Sequence, residues 1–192
     1  MKYTLNNLAI ALLVAGSLMA SCGDETPKAE ESKEVAEDKN DAKFKTDSSE
    51  DKASFVVDAV GGNIGEIKLA KLAEQKSSSK EIKDIAKMLV DDHTAALDGL
   101  KTLATNKGIS IPTDEPEKIK ETITDLSDDK PADFDQNWTK ALMDKHEKTI
   151  NDYEKELGQT KDEDIKAWIN TVLPKIRTHH DKLMAYNSKV KK

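Results

Sequence analysis

The sequence predicts an all-α fold: a four-helix bundle with a short extra helix in the long connection between its second and third helices. Three observations predict it. Apolar residues recur at alternating spacings of three and four over four separate stretches, which is the period of one helix face. Three of those stretches open on a Ser, Asp or Thr cap with a Glu or Gln three residues on, and two close on glycine. After Cys22 the chain has no cysteine, so helix packing and not disulfide bonding must hold the fold.

The chain begins with Lys2, an apolar run from Leu8 to Ala20, and then Ser21-Cys22. About a dozen apolar residues are too few to span a bilayer roughly 30 Å thick. Residues 1–21 therefore read as a cleaved export signal, with small residues placed directly before the only cysteine. That ending resembles the lipobox of bacterial lipoproteins, which implies a lipidated Cys22 and anchoring to a membrane. Plain secretion with an unpaired Cys22 is the alternative. Residues 22–50 are rich in Glu, Asp, Lys and Ser, with Val35 and Phe44 as the only large apolar side chains after the signal. Such a stretch buries too little surface to fold and is expected to be a disordered charged tether.

The bundle is expected over residues 51–192. Its first helix runs from about Asp51 to Gln75, with Phe55, Ala59, Gly62, Glu66, Leu69 and Ala73 on one stripe. Ser78 and Glu81 form a capping box for the second, whose seam reads Ile82, Ala86, Leu89, His93, Ala96, Leu100 and Leu103 before the stop at Gly108. The connection to Ala132 contains three prolines, and Ile119, Ile123 and Leu126 within it suggest a short amphipathic helix. A box of Asp133 and Gln136 opens the third helix, which carries Phe134, Trp138, Leu142, His146, Ile150 and Tyr153 to Gly158. Thr160 and Glu163 cap the fourth, which carries Ile165, Ile169, Val172, Ile176, His179, Leu183 and Tyr186; Pro174 frees the carbonyl of Asn170 and should kink it. Two short connections flank a long one, which fits an up-down bundle or one with a crossover.

Glu66, His93, His146 and His179 each fall about 13 to 17 residues into a different helix, so they share a depth to within a turn of roughly 5.4 Å. Three imidazoles and a carboxylate make a tetrahedral set for zinc, or an adaptable one for copper, manganese or iron. One such divalent ion is the cofactor the sequence suggests. A buried Glu–His polar network is the alternative. Met143, three residues before His146, could add a thioether and favour copper, though core filling explains it as well. Asp91, Asp92, Asp144, Glu147 and His180 lie beside the candidate ligands, about 100° round the helix, where they face water or support the ligands from outside. Gly61, Gly62 and Gly65 imply close backbone approach or a kink near Glu66.

Phe55 to Leu72, Met88-Leu89-Val90-Asp91-Asp92-His93, Phe134-Asp135, Met143-Asp144-Lys145-His146 and Leu173 to His179, in that order, are similar to exported bacterial proteins grouped as domain of unknown function 4142 and described as predicted outer membrane proteins. The resemblance implies a ferritin-like four-helix domain in the cell envelope, without an established activity. Ferritin-like di-iron enzymes place a glutamate three residues before a histidine on two helices. Here Val90, Met143 and Ile176 occupy those positions, which removes the bridging carboxylates that ferroxidase chemistry needs.

The formal charge of -7, from 30 basic and 37 acidic residues, argues against nucleic acid as a partner. The sequence thus points to a lipid-anchored envelope bundle, on the outer membrane facing the periplasm or cell surface, that holds a divalent metal for storage, sensing or stress tolerance. A metal-free structural module that offers charged helix faces to an envelope protein partner is the second reading. An enzyme is the third, because no catalytic constellation stands out.

Overall fold

Each apolar stripe becomes a helix. The computed structural model describes residues 29–190 as six α-helices: α1 (Ala29–Lys43), α2 (Asp47–Lys76), α3 (Lys80–Lys107), α4 (Glu117–Asp128), α5 (Pro131–Gln159) and α6 (Glu163–Val190). No strand occurs among the described residues, and no helix there is long and apolar enough to cross a membrane. The expected export signal and Cys22 lie outside the described residues.

Charged contacts at the bundle's ends fix the topology that length left open. Lys189 Nζ, at the end of α6, lies 2.5 Å from Glu81 Oε1 at the start of α3. At the opposite pole Lys107 Nζ, in the last turn of α3, bonds Asp162 (2.8 Å) and Asp164 (2.9 Å) at the start of α6. These two helices are therefore antiparallel. Lys76, at the end of α2, donates to the carbonyls of Ser127 and Asp129, so α5 begins where α2 stops. The chain leaves α3 at one pole, returns along the bundle through α4, and enters α5 at the other. The order is up, down, down, up, the ferritin-like crossover arrangement.

Four helix starts differ from the expected ones, and the first of these is α2, which begins at Asp47 after Thr46 and not near Asp51. Ser79, not Ser78, caps α3 by accepting from the N–H of Ile82 (3.3 Å), because Ser77 is engaged with the N–H of Ser79 (3.0 Å). The start of α5 is Pro131, whose fixed φ suits the first helical position, and the Asp133 box does not form. Asp162 replaces Thr160 at the start of α6, accepting from Asp164 N–H (3.1 Å) and Ile165 N–H (3.2 Å). Gly108 ends α3 in the left-handed conformation (φ 64°), as expected. Pro174 sits inside α6, which stays helical through it.

The expected tether is corrected over much of its length, since residues 29–43 form α1 and dock on the bundle. Hydropathy could not show this because the docking is largely polar. Asn40 is buried, donating to the carbonyl of Ser110 (2.9 Å) and accepting from its N–H (2.8 Å). Ser32 Oγ accepts from Thr113 N–H (2.7 Å), Lys43 donates to the carbonyl of Gly108 (2.5 Å), and Lys33 pairs with Asp58 (2.7 Å). Ala36 supplies the apolar anchor.

Most of α2 is buried around its circumference, since the crossover segment covers the side that α3 and α5 leave open. Gly61 and Gly65 make this possible. A Cβ on Gly61 would lie 3.2 Å from the ring of Pro116, and one on Gly65 would lie 2.6 Å from Ile119 Cγ2. Close backbone approach is therefore the reason for both. The apolar interior is not continuous. One cluster, including Val56, Val60, Leu100, Trp168 and Ile169, fills the pole near Gly108; another, including Leu69, Leu89, Phe134, Trp138 and Leu183, fills the opposite pole. A polar layer lies between them.

Candidate metal centre

That layer is where the sequence placed its four candidate residues. His93, His146 and His179 face one another in a triangle, with ring centroids 5.7, 5.3 and 5.5 Å apart. One nitrogen from each ring belongs to a group of donor atoms all within 4.8 Å of one another. Burial is near complete: 4 % of the surface is exposed for His93, 1 % for His146, 1 % for His179 and 4 % for Glu66. Each histidine comes from a different helix, held at mid-height by the apolar residues a turn above and below.

Hydrogen bonds decide which nitrogen faces inward. His93 Nδ1 donates to Asn63 Oδ1 (2.9 Å), and the Asn63 amide is oriented by its own bond to the carbonyl of Ala59 (2.7 Å). His146 Nδ1 donates to the carbonyl of Leu142 (2.9 Å). His179 Nε2 donates to Asp92 Oδ2 (2.9 Å), whose other oxygen binds Lys175 (2.7 Å). All three partners are acceptors, so the bonded nitrogens carry the protons. The remaining atoms, His93 Nε2, His146 Nε2 and His179 Nδ1, are buried lone pairs with no hydrogen-bond partner. Orienting a ligand histidine through its second nitrogen is how metal sites fix the tautomer.

The surroundings disfavour the charged form of two of these rings. Burial, followed by the neighbouring His146, His179 and Lys145, holds His93 well below the ordinary histidine range. For His179 burial lowers the pKa to about 4, against the opposing pull of Asp92. Burial pushes the Asp92 carboxyl up, but Lys175 and His179 outweigh it and leave its pKa below the usual value. Protonation of His93 or His179 is therefore disfavoured, and a metal cation is the group that would relieve the convergence of lone pairs. A hydrogen-bonded polar network would pair these atoms, and none of them is paired.

Glu66 stands beside the triad. Its Oε1 lies 3.8 Å from His146 Nδ1 and 4.0 Å from Lys145 Nζ, and its Oε2 has no hydrogen-bond partner. A cleft of about 890 Å³ between α2, α4 and α5 reaches the layer, lined at its inner end by Glu66, His93, His146 and Tyr153 and nearer its mouth by Lys118 and Lys148. His179 lies on the far side of the triad, backed by Asp92.

The neighbours sort by structure. Asp92 supports a ligand from outside, as its position next to His93 allowed. Asp91 pairs with Lys87 at the surface (3.0 Å), and Met143 packs against the apolar cluster around Trp138. Asn63 was missed, although its place three residues before Glu66 on the same stripe was a readable signal. The Leu142 carbonyl carries no such signal. Among the described residues the three histidines are the one group with metal-ligand spacing.

No curated protein and no solved structure matches the chain. A family model does, described as "Domain of unknown function (DUF4142)", over residues 36–185. The match takes in most of α1, the crossover and all four residues of the polar layer, and the chain belongs to that family.

Proposed function

We propose that this protein is a lipid-anchored bundle of the bacterial cell envelope that binds one divalent metal ion through His93 Nε2, His146 Nε2 and His179 Nδ1, with Glu66 beside the ion. One observation carries the reading: three buried imidazoles converge with unpaired nitrogens while their outer nitrogens are each held by an acceptor. Three neutral nitrogens suit zinc or copper(II) best and admit manganese or iron. A single interior ion serves sensing or use as a resident cofactor better than bulk storage. Anchoring through Cys22, residence at the outer membrane, and an envelope protein as partner rest on the export signal and its Ser-Cys ending.

The test is elemental analysis by mass spectrometry of tag-free protein from residue 23 onward, purified without chelator and then titrated with metal. Near-stoichiometric metal that is lost in His93→Ala and His179→Ala, with helical content retained, is the expected result. No uptake by the wild type, together with simple destabilisation of both variants, would overturn the metal reading in favour of a metal-free interaction module.

A further inference from the structure

The three histidines leave one group of the polar layer without a role. Glu66 is almost fully buried, and Oε2 has no partner. An ionised carboxylate only accepts hydrogen bonds, so whatever completes it must bring a donor. Leaving such an oxygen unsatisfied in the interior costs more than leaving a neutral group so. Glu66 is not in the group whose donor atoms lie mutually within 4.8 Å; its Oε1 approaches the outer nitrogen of His146, Nδ1, at 3.8 Å, so it stands beside a ligand ring and not among the ligands. Two deficits therefore share one cleft: three nitrogens that leave a metal short of a ligand, and a carboxylate lacking a donor.

The cleft has a matching asymmetry. It is lined by Glu66, His93 and His146, whereas His179 is backed by Asp92. The open side of the triad is thus the side on which Glu66 stands. His93 and His146 are only 4 % and 1 % exposed, so they lie at the closed inner end of this cleft.

Resting on the three-histidine reading, we propose that the bound metal keeps a fourth, exchangeable position facing the cleft, filled by water or another small protic ligand whose proton Glu66 accepts in a hydrogen bond. Glu66 then acts as a selectivity residue. It favours ligands that carry a donor, such as water, hydroperoxide or hydroxylamine, and disfavours aprotic anions through its charge.

Copper(II) is the probe. One equivalent is added to the metal-free protein, and binding stoichiometry is read first. Pulsed electron paramagnetic resonance in D₂O is expected to show an exchangeable deuteron in the copper coordination sphere. Azide, followed by its charge-transfer band, is expected to bind the wild type weakly and the Glu66→Gln variant at least about tenfold more tightly, because a buried negative charge near the ligand is gone. Full copper occupancy without coordinated deuterons would overturn the proposal while leaving the metal site intact, as would azide affinity that Glu66→Gln leaves unchanged. Failure to bind copper at all would sink both readings at the first step. Should Glu66→Gln fail to fold, the deuteron measurement on the wild type still decides.

Discussion

Gly62→Ala and Gly65→Ala are the same chemical change three residues apart on α2, and they are expected to move stability in opposite directions. Replacing a mid-helix glycine by alanine contributes about 1 kcal/mol through backbone entropy. At Gly62 nothing lies within 4 Å of the added Cβ, so that gain is realised in full. At Gly65 the new methyl would sit 2.6 Å from Ile119 Cγ2, 2.7 Å from Cδ1 and 3.3 Å from Cβ. The Cδ1 atom can rotate away, but Cγ2 moves only by turning χ1 out of the rotamer a β-branched residue holds in a helix, and Cβ is fixed to the α4 backbone, so α4 itself must retreat. Overpacking of that kind costs about 1–3 kcal/mol, which offsets the propensity gain and leaves a net loss of up to about 2 kcal/mol. The pair therefore differs by about 1–3 kcal/mol, which for a domain of this size should separate their unfolding temperatures by roughly 2–12 °C. Urea unfolding followed by circular dichroism at 222 nm supplies the free energies. A Gly65→Ala variant as stable as Gly62→Ala would refute the close passage of α4 over α2.

Two further outcomes follow from side chains around the polar layer and at the bundle's pole. Asp92→Asn and Asn63→Leu leave all three ligand imidazoles in place but loosen the outer hold on His179 and His93; metal affinity, measured by chelator competition, should fall about 10–100-fold in each, and equal affinity to the wild type would remove these residues from the site. Asp162 offers a pH signature. Burial raises its carboxyl, but Lys107 and the N–H of Ile165 pull it lower still, so its folded pKa lies below the ordinary value. A depressed carboxyl stabilises the fold above the unfolded pKa of about 3.9 and loses that contribution as pH falls through the folded value. Asp162→Asn keeps a capping oxygen but removes the charge paired with Lys107, so it should lower stability at pH 7, and the gap from the wild type should close below about pH 4. A gap that persists at pH 3 in urea unfolding would contradict the assignment.

The four long helices and the depth of the histidines were legible because each seam repeats in threes and fours without a break, so His93, His146 and His179 could be counted into position. Helix rotation was not legible from spacing alone. It is set by contacts such as the Trp138 indole N–H bonding the carbonyl of Leu69 (2.9 Å) and Trp168 bonding that of Ala96 (3.1 Å), which join residues far apart in sequence. The hidden element was α1, whose attachment uses Ser32, Asn40 and Lys43. A hydropathy pattern registers apolar burial, and these side chains are held by hydrogen bonds to the backbone of the crossover. Chain direction was equally out of reach, since a connection long enough for a crossover is also long enough for a meandering turn. Ion pairs at the poles, Lys189 with Glu81 and Lys107 with Asp162, identify the one arrangement in which α3 and α6 run oppositely.

The division of the interior into two apolar compartments bears on how the domain comes apart. Without an ion, the equator holds mutually repelling lone pairs and an unsatisfied carboxylate, so the cohesive contacts of each pole meet a weak seam at mid-height. The hemispheres then resemble two adjoining cooperative units that can open separately. An ion gripped by α3, α5 and α6 at once ties both hemispheres to a single joint, and partial opening of either one must now release it. Occupancy would thereby convert local breathing into a global event, making the metal a rivet across the middle of the protein as well as a ligand within it.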